Sequence, residues 1–489
     1  MTLTATRGRP AAAAAGRGRR PGYAGAVLAI TAAALAGRLV LLGRTALWRD
    51  EAFTGVVARR SWSGMLDAVR ADTNPPLSYL LTHLVTGISS APAALRFMPV
   101  LAGTAAVPLA AAMARRIDGD RAGVIAAATV ALMPAFVVSS RDARMYALAT
   151  TLTMAMVLCV WRAAERPDRG RLIAVAGCAA ALVYTHYLGL LAVATAGVAM
   201  AVCLRPPRAT RVRVGLALGA GVLTLAPWVA VASHQAANAP TWIRSLNHDQ
   251  LLGVLTEFFC GPGVDPGTPG RDALQVLQAG AICGGGLAGL TLLFALLRMP
   301  SRQRVAVSFL AVSGLGAMLL LLALSTVRPL FEARYASVLW GPLAPLIGVG
   351  LARMRPAPVR GLSLGAMATV AAALAFFLTR ADVPALTAHV DGDLRAGDAL
   401  VAPPDQYLLV LYYAAPATAQ RARVLGTDLP AFWGTAAYPA GAEVAAAPDP
   451  AGRLEVIRAS TSAPITVAAD LHRVESDCVT LVCLDVYAH

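Results

Sequence analysis

Residues 305–325 read VAVSFLAVSGLGAMLLLLALS, without one charged side chain, and are entered through Arg302 and Arg304. As a helix rising about 1.5 Å per residue, such a run spans the roughly 30 Å hydrocarbon core of a bilayer. Ten further runs in the same chain are apolar over most of their length: 23–43, 96–114, 122–138, 145–161, 171–184, 188–204, 214–233, 273–297, 335–352 and 359–378. The 489-residue chain is 57% hydrophobic and 14% charged, with mean hydropathy +0.61, which ordinary soluble domains do not reach.

The formal charge of +15 rests on arginine, for the chain has no lysine. A basic excess of this size suits nucleic acid when it forms a stripe. Here the arginines cluster at the ends of apolar runs, as topology signals do, and no nucleic acid partner is expected. The clusters are Arg115, Arg116 and Arg121; Arg162 to Arg171; Arg205 to Arg213; Arg298 to Arg304; and Arg353 to Arg360. Placing them in the cytoplasm puts the N-terminus inside and the C-terminus outside.

The expected fold is an all-α polytopic membrane bundle of about eleven transmembrane helices with a small C-terminal extracytoplasmic α/β domain. Residues 1–22 read as a disordered basic cytoplasmic tail and 23–380 as the membrane domain, with a first extracytoplasmic loop over 44–95. The arginine pattern works only if 75–90 does not cross, so that stretch is expected as a helix lying on the outer surface.

After Arg380 the long apolar runs stop, and 381–489 gain Asp, Pro and turn signals. Strands are expected at 398–402, 422–426, 453–458, 464–468 and 479–487, with a helix over 404–415. Cys478 and Cys483 fall on the oxidising side. A single extended strand would hold them about 16 Å apart, so a disulfide requires a turn between them.

The outer face gathers several polar groups. They are Asp50-Glu51, Asp72-Thr-Asn-Pro-Pro76, Arg141-Asp-Ala-Arg144 with Tyr146, His186 between Thr185 and Tyr187, and Glu332 with Arg334. Each also has a structural reading. Asp50-Glu51 can form an ion pair within an arginine-rich loop, Arg141 can anchor a span end, His186 can be an interfacial histidine, and Glu332 and Arg334 can be a solvated loop end.

The chemical reading is sharper. Arginine binds phosphate through planar paired donors, and a carboxylate can take a proton from an acceptor hydroxyl. Together at a membrane surface they suit transfer from a lipid-linked phosphate, with charge stabilised on the leaving group. Two Asp-x-Asp motifs, Asp118-Gly-Asp120 and Asp391-Gly-Asp393, mimic nucleotide-sugar metal sites. The first lies in a very short loop and reads as a turn; the second lies outside, where nucleotide sugars are not expected.

Trp48-Arg-Asp-Glu51, Asn74-Pro-Pro-Leu77, Arg141-Asp-Ala-Arg-Met-Tyr-Ala-Leu148, Tyr184-Thr-His-Tyr187 and Arg334-Tyr335 occur in this order. With the span order, this set resembles the C superfamily of membrane glycosyltransferases (GT-C), family 39 type, which includes protein O-mannosyltransferases and the lipid A aminoarabinose transferase. The resemblance covers about residues 23–380. It implies inverting transfer of a mannose-like hexose or a pentose from a polyprenyl-phosphate donor to an envelope glycan, lipid or protein, on the extracytoplasmic face of a bacterial plasma membrane. It implies Asp50 as general base with Glu51 holding or assisting it. Arg141, Arg144 and Arg334 would hold the donor phosphate, and Tyr146, His186 and, less centrally, His83 would line the pocket. No metal or other cofactor is expected.

Loops at 234–271 are expected to help set specificity, with Trp242 and Phe258 as candidates to stack on a sugar. The alternative functions are a lipid or sugar transporter or flippase, and an assembly protein whose charged groups are structural. A transporter calls for ionisable residues at mid-membrane depth, yet the runs hold almost none apart from Arg38.

Overall fold

The computed structural model describes residues 21–237, 243, 245–261, 271–377 and 382–489. Most of the 1–22 tail, Trp242 and the 378–381 junction lie outside the described residues. Among the described residues, eight helices are long and apolar enough to cross a membrane, from Gly22–Leu39 through Ala357–Ala375. One of them, Pro92–Leu132, is a hairpin of two arms. Its helix breaks at Asp118 and at Gly119, where φ is +79°, a conformation that glycine adopts without a Cβ penalty. A Cβ on Gly123 would stand 2.9 Å from the Ala111 carbonyl, so the arms pack back to back. Arg115 and Asp120 pair across the tip at 2.7 Å.

With the arms taken separately, and with Arg169–Thr185 and Gly189–Leu204 added, a helix lies at each of the eleven expected runs. The molecule is a multi-pass membrane protein. Leu77–Thr86 is ten residues long. At about 15 Å it reaches half the hydrocarbon thickness, too little to cross.

The C-terminal part is a six-stranded mixed sheet in the order β3-β2-β1-β4-β6-β5. The strands are β1 Ala399–Ala402, β2 Ala422–Leu425, β3 Glu443–Val444, β4 Leu454–Ala459, β5 His472–Val479 and β6 Val482–Ala488. β3, β2, β1 and β4 run parallel, and β6 and β5 close the sheet as an antiparallel hairpin.

Two expectations fail here. Residues 464–468 form no strand. Pro464 offers no N–H to a ladder, and Ile465, Val467 and Ala468 instead pack on a small apolar cluster with Leu454 and Tyr487. The expected single strand 479–487 is divided by a turn at Thr480-Leu481, where Leu481 has φ +65°. That turn places Cys478 opposite Cys483 with Cα atoms 4.1 Å apart, and the two form a disulfide.

The sheet domain does not stand apart from the first loop. Leu47, Phe53, Val57 and Met65 share one core with Leu386, Tyr407 and Leu408. Leu47 N–H donates to the Tyr413 hydroxyl at 2.7 Å, and Arg60 donates to the Ala436 and Ala437 carbonyls at 3.1 and 2.6 Å. The Arg59 guanidinium lies 3.8 Å over the Tyr412 ring. This shared core brings the C-terminal chain onto the helix that begins at Arg49.

Candidate active site

Asp50 and Glu51 open the Arg49–Ala58 helix, where carboxylates favour the positive end of the helix dipole. Adjacent helical residues point about 100° apart, and the two acids meet different surroundings. Glu51 is fully buried. Its carboxylate accepts from Arg96 Nε and Nη2 at 2.7 Å each, from Ala143 N–H at 2.8 Å and from Trp48 N–H at 3.3 Å. Arg96, itself buried, also donates to the Leu42, Thr45 and Ala46 carbonyls. Glu51 thus ties the helix start to the second span and to the 141–145 turn. It does not line the neighbouring cavity.

Asp50 does. Its side chain is 20% exposed, with Oδ1 3.3 Å from Arg49 Nε and Oδ2 3.6 Å from Arg334 Nη1. The cavity in front of it is lined by Asp72, Asn74, Arg144, Tyr146, Arg334 and Tyr335, with Phe432 and Trp433 arriving from the C-terminal domain. Arg144 Nη1 donates to the Asp50 carbonyl at 3.3 Å, to Thr54 Oγ1 at 3.2 Å and to the Tyr79 hydroxyl at 3.4 Å. Its buried Nε has no hydrogen-bond partner among the described residues. A second cavity, apolar and of about 160 Å³, reaches the same guanidinium between Thr54, Tyr79, Met98, Leu101 and Leu148. Arg144 therefore stands where a polar and an apolar space meet.

Tyr146, His186 and Tyr335 form a ring cluster with centroids 6.1, 6.3 and 5.9 Å apart. His186 Nδ1 accepts from Leu188 N–H at 3.2 Å. Burial, with Arg144 adding to it, pushes the His186 imidazole down to about 4, so it is neutral at ordinary pH. It stands behind the cavity wall, in contact with Tyr146 and Tyr335.

Arg141 and His83 do not join the cavity lining. Arg141 donates to the carbonyls of Arg38, Val40 and Leu41 at 2.8, 2.7 and 3.3 Å. It caps the end of the first helix, where carbonyls lack helical partners. His83 binds the Ala58 carbonyl through Nδ1 at 2.8 Å and packs on Trp62, with ring centroids 4.2 Å apart. Phe258 is buried among Phe259 and Trp340. Asp118, of the first Asp-x-Asp motif, pairs with Arg353 at 2.8 Å.

Several groups around Asp50 and Glu51 receive no specific role from the sequence alone. Arg96 looks like an ordinary span-end arginine. Asp72 is buried and accepts from the Tyr79 hydroxyl at 2.9 Å and Asn74 Nδ2 at 3.2 Å. Burial raises its carboxyl above the usual range, against the opposing pull of Arg144. The Asp72-Thr-Asn-Pro-Pro76 motif is the available signal. Phe432 and Trp433 come from far along the chain and carry none. They reach the cavity because Gly434 takes φ +81° where a Cβ would meet Leu408 at 2.7 Å and Phe53 at 2.9 Å. Arg49 lies 4.8 Å from the Trp433 ring centroid.

Residues 73–234 match the family model described as dolichyl-phosphate-mannose-protein mannosyltransferase. No curated protein matches the chain. Among solved structures, apo ArnT from Cupriavidus metallidurans aligns with TM-score 0.63 and 13% identity, over 95% of this chain and 98% of that one. The same protein bound to undecaprenyl phosphate aligns with TM-score 0.61 and 14% identity over the same shares. The apo oligosaccharyltransferase of Archaeoglobus fulgidus aligns with TM-score 0.52 and 11% identity, over 81% of this chain and 64% of that one. These likenesses are of fold.

Proposed function

We propose that this family 39-like membrane glycosyltransferase of the GT-C fold moves a mannose-like hexose or a pentose from a polyprenyl-phosphate donor to an acceptor hydroxyl of the cell envelope, with inversion at the sugar. The donor phosphate sits on Arg144 and Arg334, with the first prenyl units in the apolar cavity and the sugar in the polar one. Guanidinium groups suit this task because they stay charged and offer planar paired donors.

Asp50 takes the proton of the acceptor hydroxyl as that oxygen attacks the anomeric carbon. The bond from that carbon to the phosphate oxygen breaks, and its electrons leave with the polyprenyl phosphate. The two arginines then meet the growing negative charge on the leaving group. Glu51 is a positioning residue, held by Arg96. Tyr146 and Tyr335 wall the sugar space, backed by His186. Arg141 and His83 take no part in binding the donor: neither lines the cavity, and Arg141 Nη1 and Nη2 and His83 Nδ1 are committed to backbone carbonyls elsewhere.

The arginine pattern supports an active site on the extracytoplasmic face of the membrane. On that face Phe432 and Trp433 offer aromatic surface on the Arg49 side of Asp50. We assign this side to the acceptor.

The position of Arg144, between polar and apolar spaces and in hydrogen-bond reach of the Asp50 carbonyl, carries the proposal. Purified protein offered a panel of polyprenyl-phosphate sugars and an envelope extract tests it. Transfer of one donor's sugar with inverted configuration, abolished in Asp50→Asn, is expected. Full turnover by Asp50→Asn, or retained configuration, would refute the mechanism.

A further inference from the structure

The hairpin tip at Asp118-Gly119 lies 17–20 residues along its arm from Leu101 and Met98, which line the apolar cavity beside Arg144. At about 1.5 Å per residue the tip is roughly 25–30 Å away, at the other end of the bundle. There the ends of the Arg271–Leu296 and Ala344–Arg353 helices meet the second hairpin arm around a cavity of about 680 Å³. Arg121, Arg298, Arg353 and Arg355 line it, and Asp118 is the one acid among the described residues of the lining.

Arg353 is spent. Its Nε and Nη2 bind Asp118 at 2.8 and 2.9 Å, and Nη2 also donates to Gln303 Oε1 at 2.9 Å. Among the described residues, Arg121, Arg298 and Arg355 make no side-chain hydrogen bond or ion pair. Arginines that only signal topology need no common cavity. These three come from three separate segments and face one.

Apart from Thr291, the rest of the wall is apolar, including Phe294 and Leu297. Leu287, Leu290 and Phe294 are all exposed, and their spacing of three and four residues puts them on one helix face leading away from the cavity. Basic headgroup space and a lipid-facing apolar stripe are thus continuous. A basic pocket between transmembrane helices is a setting in which anionic lipid headgroups bind.

We propose that this cavity binds an anionic phospholipid, its phosphate on Arg121, Arg298 and Arg355 and its acyl chains along the Leu287, Leu290 and Phe294 face. The full chain, purified and delipidated, is titrated with phosphatidylglycerol or phosphatidylcholine and followed by native mass spectrometry. Retention of phosphatidylglycerol should exceed that of phosphatidylcholine by about tenfold, because both carry the phosphate and only phosphatidylcholine adds a cation that the three guanidinium groups repel. Arg298→Gln/Arg355→Gln should abolish the preference, while Arg211→Gln/Arg213→Gln, in a different basic loop, should keep it. Excess glycerol phosphate should not displace the lipid. Equal retention of the two lipids, equal loss in both double variants, or displacement by glycerol phosphate would each overturn the assignment. Arg121→Gln alone should lower the preference, and an unchanged preference there counts against the three-arginine site.

Discussion

Replacing Arg96 by Met removes the two 2.7 Å contacts to Glu51 and leaves its buried carboxylate with two backbone N–H donors. Breaking one partner out of a buried ion pair costs about 3–5 kcal/mol, because the remaining charge is stranded. Arg96→Met also orphans the Leu42, Thr45 and Ala46 carbonyls, so the upper part of that range is expected. Glu51→Leu alone strands the arginine instead and should cost a similar amount. The double variant strands neither charge, so its loss should fall short of the sum of the singles by at least about 2 kcal/mol. Unfolding free energies from denaturant titration in mixed micelles measure all four corners of the cycle. An Arg96→Met loss under about 1 kcal/mol, or strict additivity, would refute the account of Glu51 as a buried anchor.

Glu257 tests the electrostatics behind Arg334. Burial and the nearby Glu332 push its carboxyl up to about 7, Arg334 opposing. A raised carboxyl favours the folded state below its unfolded value of 4.5, and that contribution is lost as pH rises through about 7. Wild-type stability should therefore fall by up to about 3 kcal/mol between about pH 5 and 8. Glu257→Gln should flatten that slope, and an unchanged slope contradicts the reading. Reducing Cys478–Cys483 releases a short loop worth about 2 kcal/mol by chain entropy. The effect should be confined to faster amide exchange in the β5–β6 hairpin, with transfer activity kept. Trp433→Ala should raise the acceptor KM about tenfold and leave donor affinity unchanged, with Trp433→Tyr restoring most of the loss. A rise in donor Kd instead would move the ring to the donor side.

Much of the bundle was legible because a bilayer demands long apolar runs and arginine marks their ends. The hairpin at Asp118-Gly119 could be read as a turn from composition alone. Individual roles were harder. Arg141 and Arg144 differ by three positions in a turn, and only tertiary packing sends one to helix-end carbonyls and the other to the cavity. Asp50 and Glu51 are likewise adjacent, yet one faces the cavity and the other faces Arg96. Thr480-Leu481 carries no glycine, asparagine or proline to announce a turn, so the sequence holds the cysteine pair out of reach. Phe432 and Trp433 arrive by docking of a distant domain, which no local pattern reports.

The central claim is that Arg144 holds the phosphate of the lipid donor while Asp50 acts only on the acceptor. Binding of polyprenyl phosphate to wild-type protein, Arg144→Gln and Asp50→Asn, measured in nanodiscs, tests it most directly. Loss of a charged hydrogen bond predicts a Kd about 10- to 100-fold higher for Arg144→Gln. Asp50→Asn should bind within about threefold of wild type, since the acceptor's base makes no required contact with the phosphate. Equal affinity for wild type and Arg144→Gln would contradict the account.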